Sequence, residues 1–304
     1  MASPSSSITN PPPESSNEVV EGLLRDRIVA VEGQLNADAI SYRGPISYGV
    51  DDLIRQAIEK LNQKRDRLAM FLQTGGGLIE VAERIARVFR HHYTFVEFLI
   101  PNYAMSAGTV LVMSGDIIRM DYYSILGPID PQVQRAGSQT CVPAIGYLEK
   151  YDALIAKSAS GRLTSAELAF LVEKFDPAEL FRYEQERELS KTLLKQWLAN
   201  YKFKNWHTTE TRGVPVTQQL REERAGEIAD KLNTPSEWHT HSRGISMQIM
   251  RDKLNLRIDD FSEDPDLHSV IKAYDRLLTD YLSRLGHNLV VHTKETYESL
   301  RVNE

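Results

Sequence analysis

Two successive units of strand, turn and helix in the first half of the chain constrain its fold more than any other feature. The first unit is an apolar run at residues 67–72, followed by Gly75-Gly76-Gly77 and a helical pattern over 78–91. The second is an apolar run at 93–100, a break at Pro101 and a small-residue helix over 105–115. Strands that alternate with helices form parallel sheets, which bind ligands at the carboxyl ends of their strands. We therefore predict an α/β fold with both turns at that edge.

Weaker patterns on either side extend this fold. They predict helices over 19–35, 50–61, 245–254 and 266–285, and strands over 39–42, 117–120, 124–126 and 256–258. Beyond residue 142 helical patterns dominate. The chain is expected to divide into a disordered leader rich in Ser and Pro (1–17), an N-terminal helix (18–37), a main domain (38–258), and a C-terminal helix and tail (259–304).

Charge and composition exclude several classes of function. The chain has 36 Lys and Arg against 42 Asp and Glu, a formal net charge of -6, which argues against a general binder of nucleic acid. Cys141 is the single cysteine, so an internal disulfide cannot form and a cytoplasmic location is expected. Neither a secretory signal nor a membrane span is predicted, because no basic start and no stretch of about 18 apolar residues occurs.

Ser106 is the candidate nucleophile, because it lies where the second strand turns into a helix. Ala107 and Gly108 after it leave room for a substrate carbonyl, and the N–H of Ala107 can face the same space. Gly76 and Gly77 can bring further backbone donors close to a ligand. The glycines could instead cradle phosphate and Ser106 could simply cap a helix, but the residues of a P-loop or a dinucleotide turn are missing.

Three motifs in order, LQTGGG (72–77), YAMSAGT (103–109) and LGPIDPQ (126–132), resemble the serine dehydrogenase proteinase family, a branch of the signal peptide peptidase A group. The segment WHTHSRGIS (238–246) resembles a later part of that family, so the likeness covers about residues 38–258. The resemblance implies an α/β fold of stacked ββα units, as in Clp protease and crotonase, with a helix-rich C-terminal part. It also implies a homo-oligomer. We predict no cofactor and no metal.

The same resemblance implies that Ser106 is the nucleophile and that Gly76, Gly77 and Ala107 lie at the oxyanion site. The chain departs from the family in small ways. Gly75 stands where the family usually has proline, and Ala107 stands where it often has glycine. Many relatives are membrane-anchored, whereas no spanning segment is predicted here.

The general base is less evident than the nucleophile. The histidine of Clp protease would fall in 126–128 and the lysine of related peptidases near Ala144, and this chain has neither. His241 is the preferred candidate because an unperturbed histidine titrates near neutral pH, and Asp130 could orient it. Lys150 and Lys157 are alternatives if burial lowers the pKa of either one. His239 and His241 could instead contribute to a metal site, but no carboxylate cluster accompanies them.

These residues together predict an ATP-independent serine peptidase that cleaves peptide bonds through a Ser106 acyl-enzyme, with a peptide or protein as substrate. Two alternatives remain open. The fold could serve as a catalytically inactive scaffold or peptide-binding module, or the paired N–H groups could stabilise the enolate of an acyl thioester, as in crotonases.

Overall fold

The computed structural model describes residues 15–129, 132–134, 141–209, 213–234, 238 and 243–302, with only the backbone described at 132–134 and 141–145. The strands are β1 (Asp38–Arg43), β2 (Arg67–Gln73), β3 (Phe95–Leu99), β4 (Tyr103–Ala104), β5 (Ile117–Met120), β6 (Ile125–Leu126), β7 (Gln132–Gln134), β8 (Cys141–Pro143), β9 (Ile245–Ser246), β10 (Asp259–Asp260), β11 (Leu289–His292) and β12 (Tyr297–Leu300). The α-helices are α1 (Ser16–Leu35), α2 (Val50–Glu59), α3 (Ile79–His92), α4 (Ala107–Val112), α5 (Ala144–Ala159), α6 (Ser165–Lys174), α7 (Pro177–Trp197), α8 (Gln218–Leu232), α9 (Met247–Leu254) and α10 (Pro265–Leu285).

A central sheet has the strand order β10-β5-β3-β2-β1-β11-β12. Its first five strands are parallel, whereas β11 runs antiparallel to β1 and β12 antiparallel to β11. The middle strands are buried on both faces, because apolar runs such as residues 68–72 leave no side for solvent. The predicted parallel sheet with β2 beside β3 is confirmed.

Helices cover both faces of this sheet. On one face the larger core packs β-strand side chains against α2, α3, α4, α8 and the end of α7. On the other face α1 lies against α10, with Ala69, Phe71 and Leu99 beneath them. Helix α10 starts at Pro265, after the capping carboxylate of Asp264, and stops at Gly286 with a left-handed backbone. The predicted α/β class is therefore confirmed, with the helical patterns beyond residue 142 forming α5 to α10.

Two boundaries in the second half differ from the prediction. The chain over 256–258 is not a strand, although Leu256 and Ile258 are buried, and the ladder begins one residue later with β10. The helix predicted over 245–254 begins at Met247, after the short strand β9. In both places the apolar residues are buried as the pattern predicts, but the pattern does not show which residues pair in a sheet. The division into a main domain and a C-terminal helix and tail stays a prediction, and residues beyond 258 contribute three strands to the central sheet.

The end of the chain is tied into the fold by a buried histidine. His292 lies in β11 and is 1% exposed, and Tyr274 Oη is 2.8 Å from its Nδ1. Burial, with a smaller contribution from Arg25, lowers the pKa of His292 to about 3.

Within the described ranges, no helix is both long enough and apolar enough to cross a bilayer.

This histidine makes the stability of the protein depend on pH. An unfolded histidine has a pKa of about 6.5, so between that pH and pH 3 unfolding takes up a proton. We expect the contribution of His292 to be complete above pH 6.5 and to fall by up to about 1.4 kcal/mol per pH unit as the pH drops toward 3. Urea unfolding of the wild type and of His292→Asn at pH 7, 6, 5 and 4 checks this. Equal slopes in the two proteins would contradict it.

Candidate active site

A second, smaller sheet holds the candidate site at the carboxyl edge of the main sheet. Its order is β4-β6-β9, with β4 parallel to β6 and β9 antiparallel to β6. Ser106 lies two residues after the end of β4, and Gly127 directly follows β6. The chain entering β9 arrives at the same end of this sheet, because β9 is antiparallel. Three chain segments therefore meet around Ser106.

Ser106 occupies a backbone conformation that few residues other than glycine adopt. Its φ is 52° and its ψ is -123°, and the Gly108 N–H donates to the Met105 carbonyl at 2.8 Å. These values are those of the first central residue of a type II′ turn, a position that favours glycine. Such strain costs on the order of 1–3 kcal/mol and is concentrated at functional sites. The turn leaves the Ser106 side chain half-buried at the start of α4, and its hydroxyl has no hydrogen-bond partner in the described ranges.

The glycine turn packs directly against the serine turn. Thr74 bridges the two, since its N–H donates to the Tyr103 carbonyl and its carbonyl accepts from the Met105 N–H. Gly76 has a φ of 106°, and a Cβ there would lie 2.7 Å from Ser106 Cβ. A side chain at Gly76 would therefore fill the space beside the Ser106 hydroxyl.

The amide groups of the predicted oxyanion residues have different environments. The Gly76 N–H donates to Thr74 Oγ1 at 3.1 Å, so it is already used within its own turn. In the part of the chain that the structure describes, the N–H groups of Gly77 and Ala107 have no acceptor. The Ala107 amide is the first of α4 and has no intrahelical partner by its position. Of the three predicted oxyanion residues, Gly77 and Ala107 therefore keep an N–H that is unused within the described residues.

Two threonines that we did not single out in the sequence hold these turns together. Thr74 joins the glycine and serine turns, as described above. Thr109 is fully buried, and its hydroxyl donates to the Ala104 carbonyl (2.7 Å) and accepts from the Gly127 N–H (2.9 Å). It therefore links the ends of β4 and β6. Both threonines lie inside the motifs quoted above, and this position is the sequence feature from which their role could have been predicted.

Replacing Thr109 with valine is expected to destabilise the protein by about 2–3 kcal/mol, because a buried N–H and a buried carbonyl lose their partner. Thr109→Ser keeps the hydroxyl and should recover most of that loss, apart from the missing methyl group. Chemical denaturation of the three proteins measures the effect. Equal stability of the valine and serine variants would show that the hydroxyl bonds do not matter.

The candidate bases are less well placed. Asp130, His239 and His241 lie outside the described residues. Lys150 is exposed on α5, and Lys157 on the same helix forms an exposed ion pair with Glu167 at 2.6 Å. A lysine becomes a general base when burial favours its neutral form, and neither side chain is buried.

Comparison with known proteins agrees with the resemblance found in the sequence motifs. Residues 50–169 match the model of a family described as ClpP-like SDH-type serine proteinase, which confirms the resemblance and the α/β fold predicted from the three motifs. Two uncharacterized proteins of Methanocaldococcus jannaschii are also similar. One is 31% identical over 141 residues, 43% of this chain and 47% of its own length, and the other is 35% identical over 82 residues, 27% of this chain and 26% of its own length. The matched segment thus spans less than half the length of either relative.

Proposed function

Because residues 50–169 match the ClpP-like SDH-type serine proteinase family, we propose that this protein is a serine peptidase that hydrolyses peptide bonds without ATP, through an acyl-enzyme on Ser106. The observation that carries the proposal is the strained backbone of Ser106, with φ of 52°, beside a glycine turn that leaves its hydroxyl uncovered. A serine that served only to cap a helix would need neither feature, and Ser106 makes no side-chain capping bond to α4.

In this mechanism the Ser106 Oγ attacks the carbonyl carbon of the scissile peptide and a base takes its proton. The N–H groups of Ala107 and Gly77 donate to the oxyanion that develops on the carbonyl oxygen. Gly76 contributes space, since its own N–H bonds to Thr74. Collapse of the tetrahedral intermediate expels the amine, which takes the proton from the base. Water then attacks the acyl ester, the base takes the proton of that water, and the Ser106 Oγ leaves and takes up this proton.

We propose His241 as the base and Asp130 as the residue that orients it. The support comes from the register of the small sheet, in which Ile125 pairs with Ser246 and Leu126 with Ile245. Asp130 follows Leu126 by four residues and His241 precedes Ile245 by four. The end of β6 and the start of β9 therefore adjoin, so the segments that carry the two residues leave the small sheet at the same end, the end at which Ser106 follows β4.

Labelling with a fluorophosphonate probe tests the nucleophile. The wild type should be labelled and Ser106→Ala should not, because the probe reacts only with an activated serine hydroxyl. Mass spectrometry of the labelled peptide locates the adduct. Equal labelling of both proteins would overturn the proposal, and peptide binding without labelling or turnover would favour the inactive scaffold.

The histidine pair offers a matched test of the base. His241→Ala should lower kcat for peptide hydrolysis by at least about 10²–10⁴-fold, the usual contribution of a positioned general base. His239→Ala, two residues away, should retain nearly full activity. Asp130→Asn should lower kcat as well, since the imidazole would lose its orienting partner. Equal activities of the two histidine variants would exclude His241 as the base.

The wider setting of this activity is also part of the proposal. We propose a homo-oligomer that acts on peptides or proteins in the cytoplasm. The mass of the purified protein in solution, measured by light scattering, tests the oligomer: a value near 34.5 kDa would contradict it.

A further inference from the structure

Helix α6 (Ser165–Lys174) has the composition of a buried helix, yet it lies at the surface. Its sequence is SAELAFLVEK, in which residues 168–172 are all apolar. Because successive residues of an α-helix are turned by about 100°, five in a row point to every side of it. A helix that is apolar all round is normally enclosed in a core. None of the ten residues of α6 is buried in the described chain.

One side of α6 is open to solvent. It consists of Ser165, Leu168, Ala169 and Val172, which recur three or four residues apart and therefore line the same side of the helix. Leu168 is 51% exposed and Val172 75%, and the two small residues are exposed as well. We call these four residues the α6 face. Apolar residues grouped on one exposed face indicate a contact surface, whereas single ones do not.

The neighbouring helices do not enclose α6, because their own core is small. Among the described residues it has three buried side chains, Leu148 of α5 and Leu180 and Tyr183 of α7. Phe175, at the end of α6, packs its ring on Tyr147 of α5, with 4.6 Å between the centroids. These contacts hold the end of α6 and leave the α6 face uncovered.

The rest of this sequence does not supply a cover for the α6 face. The residues whose position the structure does not describe include few apolar side chains, namely Met1, Ala2, Ile8 and Ala136. They are spread over the short segments 1–14, 130–131, 135–140, 210–212, 235–237, 239–242 and 303–304. Four apolar side chains, two of them alanine, are too few to bury an apolar helix face. The cover is therefore expected from a second molecule.

The charges around α6 are neutralised within the chain. Glu167 pairs with Lys157 at 2.6 Å and Glu173 with Lys174 at 2.5 Å, so two anions meet two cations. This surface has no excess charge that would attract an acidic or a basic partner, and a second copy would meet no like-charge repulsion. Helices that lie on anionic membranes are instead rich in Lys and Arg, whereas α6 has one lysine.

The spacing of large and small residues makes the α6 face self-complementary. Along the helix, the small Ser165 and Ala169 alternate with the large Leu168 and Val172. In an antiparallel pair of helices with the two-fold axis between positions 168 and 169, Ser165 lies opposite Val172 of the second copy. Leu168 then lies opposite Ala169 of the second copy. Each large side chain packs over a small one, as ridges pack into grooves between helices.

We propose that two copies of this chain pack α6 against α6 in this antiparallel arrangement. The contact is isologous, because the same four residues serve both copies. The proposal rests on the homo-oligomer proposed above and names the surface that forms it. The α6 face contains none of the residues assigned to catalysis, so it can be tested apart from peptidase activity.

Light scattering of Leu168→Glu tests the proposal. The wild type should have at least twice the mass of a single chain, 34.5 kDa, and the variant should have half the wild-type mass or less. Two glutamates would face each other near the axis, which should raise the dissociation constant at least about 100-fold. Because Leu168 is exposed in the single chain, far-UV circular dichroism should show the helix content of the wild type.

Leu23→Glu is the matched control, because Leu23 is a leucine of α1 with a similar exposed fraction, 46%. This variant should keep the wild-type mass. Leu168→Lys should dissociate as Leu168→Glu does. An equimolar mixture of the two position-168 variants should regain the wild-type mass, since opposite charges then meet near the axis.

Three results would overturn the contact in different ways. A wild type of 34.5 kDa would refute both the homo-oligomer and the contact. A larger wild type whose mass Leu168→Glu leaves unchanged would refute only the contact, as would a mixture of the two variants that stays dissociated. Binding of the wild type to vesicles that contain phosphatidylglycerol, lost in Leu168→Glu at unchanged mass, would assign the α6 face to a lipid surface instead.

Discussion

Ser106→Gly is expected to abolish labelling and hydrolysis while making the protein more stable than Ser106→Ala by about 1–2 kcal/mol. Loss of a nucleophilic serine lowers kcat by up to about 10⁶-fold in serine peptidases. The gain in stability arises because glycine adopts the backbone of position 106 without a steric penalty, whereas alanine retains the strain of φ at 52°. The entropy that glycine gains in the unfolded chain offsets part of this benefit, by about 0.5–1 kcal/mol.

Denaturant unfolding of both variants, together with fluorophosphonate labelling, checks the two halves of this expectation separately. Ser106→Ala is the matched control, since it removes the hydroxyl and keeps the strain. A glycine variant less stable than the alanine variant would refute the role of strain. Labelling that survives in either variant would refute the role of Ser106.

Gly77→Ala is expected to destabilise the protein by about 3 kcal/mol or more. The φ of Gly77 is 141°, and a Cβ added there would overlap the carbonyl oxygen of Ile46. That carbonyl accepts from the Leu78 N–H and belongs to backbone, so no side chain can rotate out of the way. The glycine turn would have to separate from the loop that precedes α2, and with it the N–H that we assign to the oxyanion.

Gly75→Ala provides the control two residues earlier in the same turn. An added Cβ at Gly75 meets nothing within 4 Å, and its backbone has no positive φ. Because alanine restricts the unfolded chain, this substitution should be neutral or stabilising by up to about 1 kcal/mol. Unfolding midpoints of both variants give the comparison. Similar losses at the two positions would show that the turn tolerates no side chain for reasons other than contact with Ile46.

Much of the fold follows from the sequence because buried parallel strands are apolar on both faces. The runs that became β2 and β3 stand out for this reason, and so do the turns after them. Strands of two residues such as β9 and β10 have too few positions to show a period. The place of β11 beside β1 was not predicted, because pairing between segments far apart in the chain leaves no local pattern.

The sequence could suggest the candidate site only as far as residue types allow. Ser106, Gly76, Gly77 and Ala107 are recognisable because small residues beside a serine have a clear chemical use. The positive φ of Ser106 was not predicted, since it is imposed by contacts of the turn, and the use of the Gly76 N–H by Thr74 depends on one hydroxyl rotamer.

Strand β11 joins the sheet beside β1, and its residue His292 pairs with Ser41, about 250 residues earlier in the chain. During synthesis, β1 and the whole nucleophile region emerge from the ribosome long before that partner exists. Assembly of the complete sheet is therefore a late event with a high contact order, and such folding is slow. A nascent chain can therefore contain all three motifs around Ser106 before the central sheet that supports the strained serine is complete.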